Sequence, residues 1–112
     1  MTRLIFVLVA FLNVAQTLSA QITAEKLLDQ CTATSDASKI GCAAYIDGFM
    51  DAIGLQSAYS KQEYICFPEE PVSATQGIRI VVKWLQDHPQ DLHTSGRLQV
   101  LLALRAAFPC GK

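Results

Sequence analysis

Between residues 24 and 108 the apolar positions recur at spacings of three and four, and no run alternates apolar with polar. That period belongs to helices, and the chain reads as all-α. The first helix is predicted from Ala24 to about Ala33, with Thr23 as N-cap and Leu27, Leu28 and Cys31 on one side. A polar connector, Thr34 to Ser38, leads to a second helix that starts after Ser38 and continues to about Tyr59. A loop from Ser60 to Pro71 follows. Ser73-Ala74-Thr75-Gln76 then has the capping-box pattern, in which hydroxyl and amide side chains satisfy each other's orphan backbone N–H groups. This third helix ends near Asp87, because Pro89 disfavours helical geometry at His88. A fourth runs from about Asp91 to Phe108, where Pro109 closes it. The expected architecture is a small bundle of four helices, or five if a connector adds one.

The second helix carries an unusual pattern, GCAAYIDGFMDAIG over residues 41–54. Glycine inside a helix costs roughly 1 kcal/mol against alanine, yet three occur here. At about 100° per residue, Cys42, Ile46, Phe49 and Ile53 gather on one face, and Asp47 and Asp51 on another. Between them runs a stripe of Gly41, Ala44, Gly48 and Ala52 with almost no side chain. Such a stripe lets another backbone approach closely. The expected use is a tight helix crossing inside the monomer; a seam between subunits is the alternative.

The third and fourth helices are apolar over wide arcs. Ala74, Ile78, Val81, Val82 and Leu85 share one face of the third, with Gly77, Ile80 and Trp84 beside it. The fourth carries Leu98, Val100, Leu101, Leu102, Leu104 and Phe108, interrupted by Arg97 and Arg105. A domain this small cannot easily cover both helices all round; either the third is simply the central buried helix, or a homodimer forms through the two.

The N-terminus places the protein. Met1-Thr2-Arg3 gives a positive start, Leu4 to Leu12 an apolar run, and Leu18-Ser19-Ala20 a small-residue cleavage site before Gln21. The run spans about half of a ~30 Å hydrocarbon core, too little to cross a membrane. Residues 1–20 thus read as a secretory signal peptide and 21–112 as one helical domain, with no membrane attachment after cleavage near Ala20-Gln21. Loss of Arg3 leaves eight basic against ten acidic residues, a net charge of −2. That balance excludes a nucleic-acid or anionic-membrane footprint.

Four cysteines in an exported chain favour two disulfides over reactive thiols. Cys31, Cys42, Cys66 and Cys110 allow three connectivities. If the helices pair as two antiparallel hairpins, Cys31 meets Cys42 and Cys66 meets Cys110, and this is the pairing expected. Little chemistry remains. His88 and His93 could share a metal, but bonded cysteines leave no second ligand pair, and no cofactor is expected. Asp47 and Asp51 mark the wet side of an amphipathic helix. No Gly-x-Ser-x-Gly turn frames a serine, and a cysteine nucleophile would need a free thiol. The chain does not read as an enzyme.

Taken in order, the motifs resemble a known family. Cys42-Ala43-Ala44-Tyr45-Ile46-Asp47-Gly48 is similar to a C-x-x-Y-I-x-G signature. Cys66-Phe67-Pro68, Val72-Ser73, Gln76, Trp84-Leu85 and His88-Pro89 follow, and the chain closes on Ala107-Phe108-Pro109-Cys110. With a signal peptide ahead, this set looks like the Rap/Tai immunity proteins of bacterial type VI secretion systems, over nearly the whole mature chain. The resemblance implies a periplasmic, helical, disulfide-bonded protein, often a homodimer, that covers the catalytic cleft of a peptidoglycan-cleaving amidase effector. Tyr45, Gly48, Pro68 and Pro109 belong to the fold-forming part of the signature. Candidates for partner contact are the exposed positions of the third helix and its flanks: Glu69, Glu70, Gln76, Arg79, Lys83, Asp87 and His88, with Trp84 as an anchor if exposed. Two other functions fit a small exported helical protein, a periplasmic acid-stress chaperone and an orphan envelope protein of the same fold.

Overall fold

Polar caps and prolines divide the chain much as the periodicity predicts. The computed structural model describes residues 21–111, so the predicted signal peptide lies outside the described residues. Four helices follow in order: α1 (Ala24–Thr32), α2 (Asp36–Ser60), α3 (Ala74–Asp87) and α4 (Gly96–Ala107), with a short 3-10 helix at Pro89–Asp91. Among the described residues there is no strand, only an isolated antiparallel bridge between Thr23 and Ser95. The Thr23 hydroxyl accepts from the Lys26 N–H, and the Ser73 hydroxyl from the Gln76 N–H at 3.1 Å. Ser35, not Ser38, caps α2, which therefore starts at Asp36.

The fourth helix departs from expectation at its start. Instead of beginning at Asp91, it begins at Gly96, after the 3-10 turn and a further turn that ends on the extended Ser95. That second turn is claimed by α1. The Ala24 N–H donates to the Thr94 carbonyl at 2.9 Å, the Glu25 N–H to the Leu92 carbonyl at 2.8 Å, and the Gly96 N–H to the Ile22 carbonyl at 2.9 Å. Orphan donors in the first turn of α1 thus find acceptors that a longer α4 would keep for itself. A Cβ on the buried Gly96 would lie 3.1 Å from the Ile22 carbonyl oxygen, which explains the glycine.

α1 packs along α2 and α3 along α4. Leu27, Cys42, Ile46, Val81, Leu85, Val100 and Leu104 are fully buried between these two hairpins, and Phe49, Ile53, Ile78 and Trp84 pack around them. Both disulfides join the predicted pairs. Cys31–Cys42 ties the end of α1 to the first turns of α2, and Cys66–Cys110 ties the loop before α3 to the residues after α4. Beside the second, the Cys66 N–H donates to the Phe108 carbonyl at 3.0 Å, and the Phe67 and Phe108 rings sit 5.4 Å apart.

The small-residue stripe of α2 serves no crossing within the monomer. Ala44, Gly48 and Ala52 are exposed, and a Cβ built on Gly48 meets nothing within 4 Å. Gly41 approaches only the Gln30 side chain. The close crossing occurs instead at Gly77 of α3, where a Cβ would lie 3.0 Å from Met50 Sδ and 3.1 Å from Ile46 Cγ2. Phe49 and Ile53 turn inward with Cys42, so the opposite stripe necessarily faces out.

Candidate functional site

Trp84 sits on α3 at the edge between the buried row Val81–Leu85 and the exposed row of Gln76, Arg79, Lys83 and Asp87. Its half-buried ring is held from two sides. The indole N–H donates to Gln99 Oε1 at 2.8 Å, and the His88 imidazole stacks on the indole with centroids 3.9 Å apart. His88 Nδ1 lies 2.7 Å from the Trp84 carbonyl oxygen, which can only accept, so Nδ1 carries the proton. Gln99 is buried in α4 and donates from its amide to Thr94 Oγ1 at 3.0 Å, while the Thr94 hydroxyl donates to the Asp91 carbonyl. The chain of bonds fixes α3 to α4 and to the turn between them. Trp84 is therefore a fixed wall, where an exposed ring would have been a free anchor.

A concavity lies on each side of that wall. One, of about 510 Å³, is lined by Trp84, Leu102, Arg105 and Ala106 from the helices and by Glu63, Tyr64, Pro109 and Cys110 from the segments that the disulfide joins. The other, of about 290 Å³, is lined by Ile80, Lys83, Asp87 and the small residues Ala103, Ala106 and Ala107. Trp84 and Ala106 belong to both, so the two form one groove between α3 and α4. Lys83 and Asp87 make an exposed ion pair at 2.7 Å on its rim, one turn apart. Such a pair adds little to stability.

The groove gathers three of the predicted contact residues, Lys83, Trp84 and Asp87, while His88 stacks on the indole and lines neither concavity. Gln76 and Arg79 continue the same exposed row toward the start of α3. Glu69 and Glu70 are exposed on the preceding loop and line neither concavity. Glu63, Tyr64 and Arg105 were not predicted as site residues, and Pro109 only as a fold-forming one. The signal for them lies in the disulfide, since joining Cys66 to Cys110 brings residues 63–64 beside 105–109.

The other chemistry in the sequence resolves structurally. Glu63, Cys66 and Cys110 bring a carboxylate and two sulfurs within 4.8 Å, yet the sulfurs are bonded to each other and offer no thiolate. His93 is exposed and remote from any such cluster among the described residues. Tyr45 is half-buried, and burial pushes its phenol above the ordinary value, with the Arg97 charge pulling partly back. Among the described residues no helix is long and apolar enough to cross a membrane.

Fold and groove together define a small, disulfide-stapled helical protein with a preformed surface cleft. The chain matches the family model of the Rap1a immunity proteins over residues 23–110, and it belongs to that family. Comparisons with curated proteins and with solved structures gave no match.

Proposed function

We propose that this is a periplasmic immunity protein that binds and occludes a type VI secretion peptidoglycan amidase effector, protecting the cell that makes it. The family match over residues 23–110 carries the reading. The signal-like sequence of residues 1–20 and the two disulfides support an oxidising, exported setting. Occlusion needs a rigid surface with a few anchor groups and no chemistry of its own, and the groove around Trp84 supplies one. Lys83 and Asp87 border it, Gln76 and Arg79 continue the same exposed row, and in this reading the effector contacts them.

The test is lysis. Amidase effectors are sent to the periplasm of a test strain with the full-length chain, or with a version lacking residues 1–20. Protection by the first and not by the second is expected; lysis in both cases, with every amidase tried, rejects the reading.

The protein also acts as a homodimer in this proposal, but through α2 rather than α3 and α4. Among the described residues the large apolar side chains left in the open are Ile40 (69% exposed), Leu55 (70%) and Tyr59 (91%) on α2, against Leu98 (46%) on α4 and Tyr64 (46%) on the loop before α3. At about 100° per residue Leu55 and Tyr59 fall within the stripe of Ala44, Gly48 and Ala52, and Ile40 lies at its edge with Asp47 and Asp51. Light scattering behind size-exclusion chromatography should give twice the monomer mass, and Leu55→Asp with Tyr59→Asp should halve it. A monomer in the unaltered protein would end this part of the proposal.

A further inference from the structure

The larger half of the groove has a chemical character of its own. At about 510 Å³ it exceeds any single side chain and falls within the range of pockets that hold a ligand. Its walls are fixed in advance: Trp84 by Gln99 and His88, and the opposite side by the Cys66–Cys110 bond. Two aromatic faces, Trp84 and the 46%-exposed Tyr64, open into it beside Leu102.

Its charges are unspent. Arg105 has no carboxylate within 4.0 Å among the described residues, where Lys83–Asp87 is the only ion pair. Glu63 also lacks a basic partner; its Oε2 lies 3.4 Å from Cys66 Sγ, a bonded sulfur with no proton to give. The pocket thus presents an apolar aromatic interior with one guanidinium and one carboxylate that do not neutralise each other. A guanidinium prefers a planar two-oxygen partner, and a carboxylate accepts from N–H groups. An aromatic ring satisfies the interior by offset or edge-to-face packing.

We infer that this pocket receives a short peptide segment carrying an aromatic side chain next to an acidic one, the ring on Trp84, the acid on Arg105 and backbone N–H groups toward Glu63. This deepens the immunity reading, in which the peptide belongs to the effector. The experiment uses no effector, so the two can fail separately.

The probes are three capped dipeptides, N-acetyl-Asp-Phe-amide, N-acetyl-Lys-Phe-amide and N-acetyl-Asp-Ala-amide, titrated into isotope-labelled mature protein and followed by NMR. The first should move the Trp84 indole N–H and the Arg105 and Ala106 amides, and bind about tenfold more tightly than either of the others. Arg105→Glu should reverse the preference between the Asp and Lys peptides. Arg105 is exposed, so the fold should survive; Arg105→Gln, which should abolish the preference, serves if it does not. Equal binding of all three, shifts elsewhere on the surface, or a preference unchanged by either variant would overturn the assignment.

Discussion

Gln99 is the one buried polar side chain in the core among the described residues, and its amide has a partner on both ends. In the sequence it sits inside an apolar helix with nothing to mark it as buried. Only the position of Trp84 across the α3–α4 interface gives it a role. Gln99→Leu should fit the space but leave the indole N–H unpaired, costing about 1–3 kcal/mol in urea unfolding. Tyr45 acts differently. Burial raises its folded-state pKa above the ordinary 10.0, so its contribution to stability is complete below that value and is lost as pH climbs through the folded pKa. Tyr45→Phe cannot ionise. The stability of the native protein relative to this variant, followed by denaturation across alkaline pH, should fall as the native phenol titrates.

Helices show where periodicity is informative and where it is not. The inward faces of α2 and α3 follow from spacing alone, because Cys42, Ile46, Val81 and Leu85 recur at helical intervals and all end up buried. The glycines do not yield to the same treatment. Gly77 and Gly48 look alike in the sequence, yet one faces Met50 and Ile46 and the other open space. Gly77→Leu should destabilise the fold by about 1–3 kcal/mol or more through overpacking. Gly48→Leu should leave the fold intact or stabilise it by about 1 kcal/mol in a monomer, since leucine is the better helix former. Thermal melting of the two variants side by side checks this. The start of α4 is signalled locally, by the turn and cap residues Thr94-Ser95-Gly96 that a reading from apolar period passes over, and α1 takes the Leu92 and Thr94 carbonyls.

The whole molecule rests on its two cross-links. In the loop-entropy account, closing 11 residues between Cys31 and Cys42 is worth about 3 kcal/mol and closing 44 between Cys66 and Cys110 about 4 kcal/mol. For a domain of this size each is a large fraction of the total. Replacing the second pair by serine should therefore lower the melting point more than replacing the first. The bonds also differ in access. Cys42 is 1% exposed in the core, whereas Cys110 is open to solvent on the wall of the groove. Limited reduction followed by alkylation should label Cys66 and Cys110 first. Labelled protein should then bind the acidic aromatic peptide less well, because Glu63 and Tyr64 are no longer held opposite Arg105.

Helix number, the Thr23 and Ser73 caps, the end of α3 before Pro89 and the disulfide pairing were all legible in the chain, because each depends on neighbours within a few turns or on simple hairpin geometry. The family resemblance was legible too, since cysteines, prolines and glycines at fixed spacings record a backbone path. The groove, the pinned indole and the outward stripe of α2 were decided by tertiary structure. Each depends on which of several equivalent helix faces meets another helix, and sequence period fixes the existence of a face without naming its neighbour.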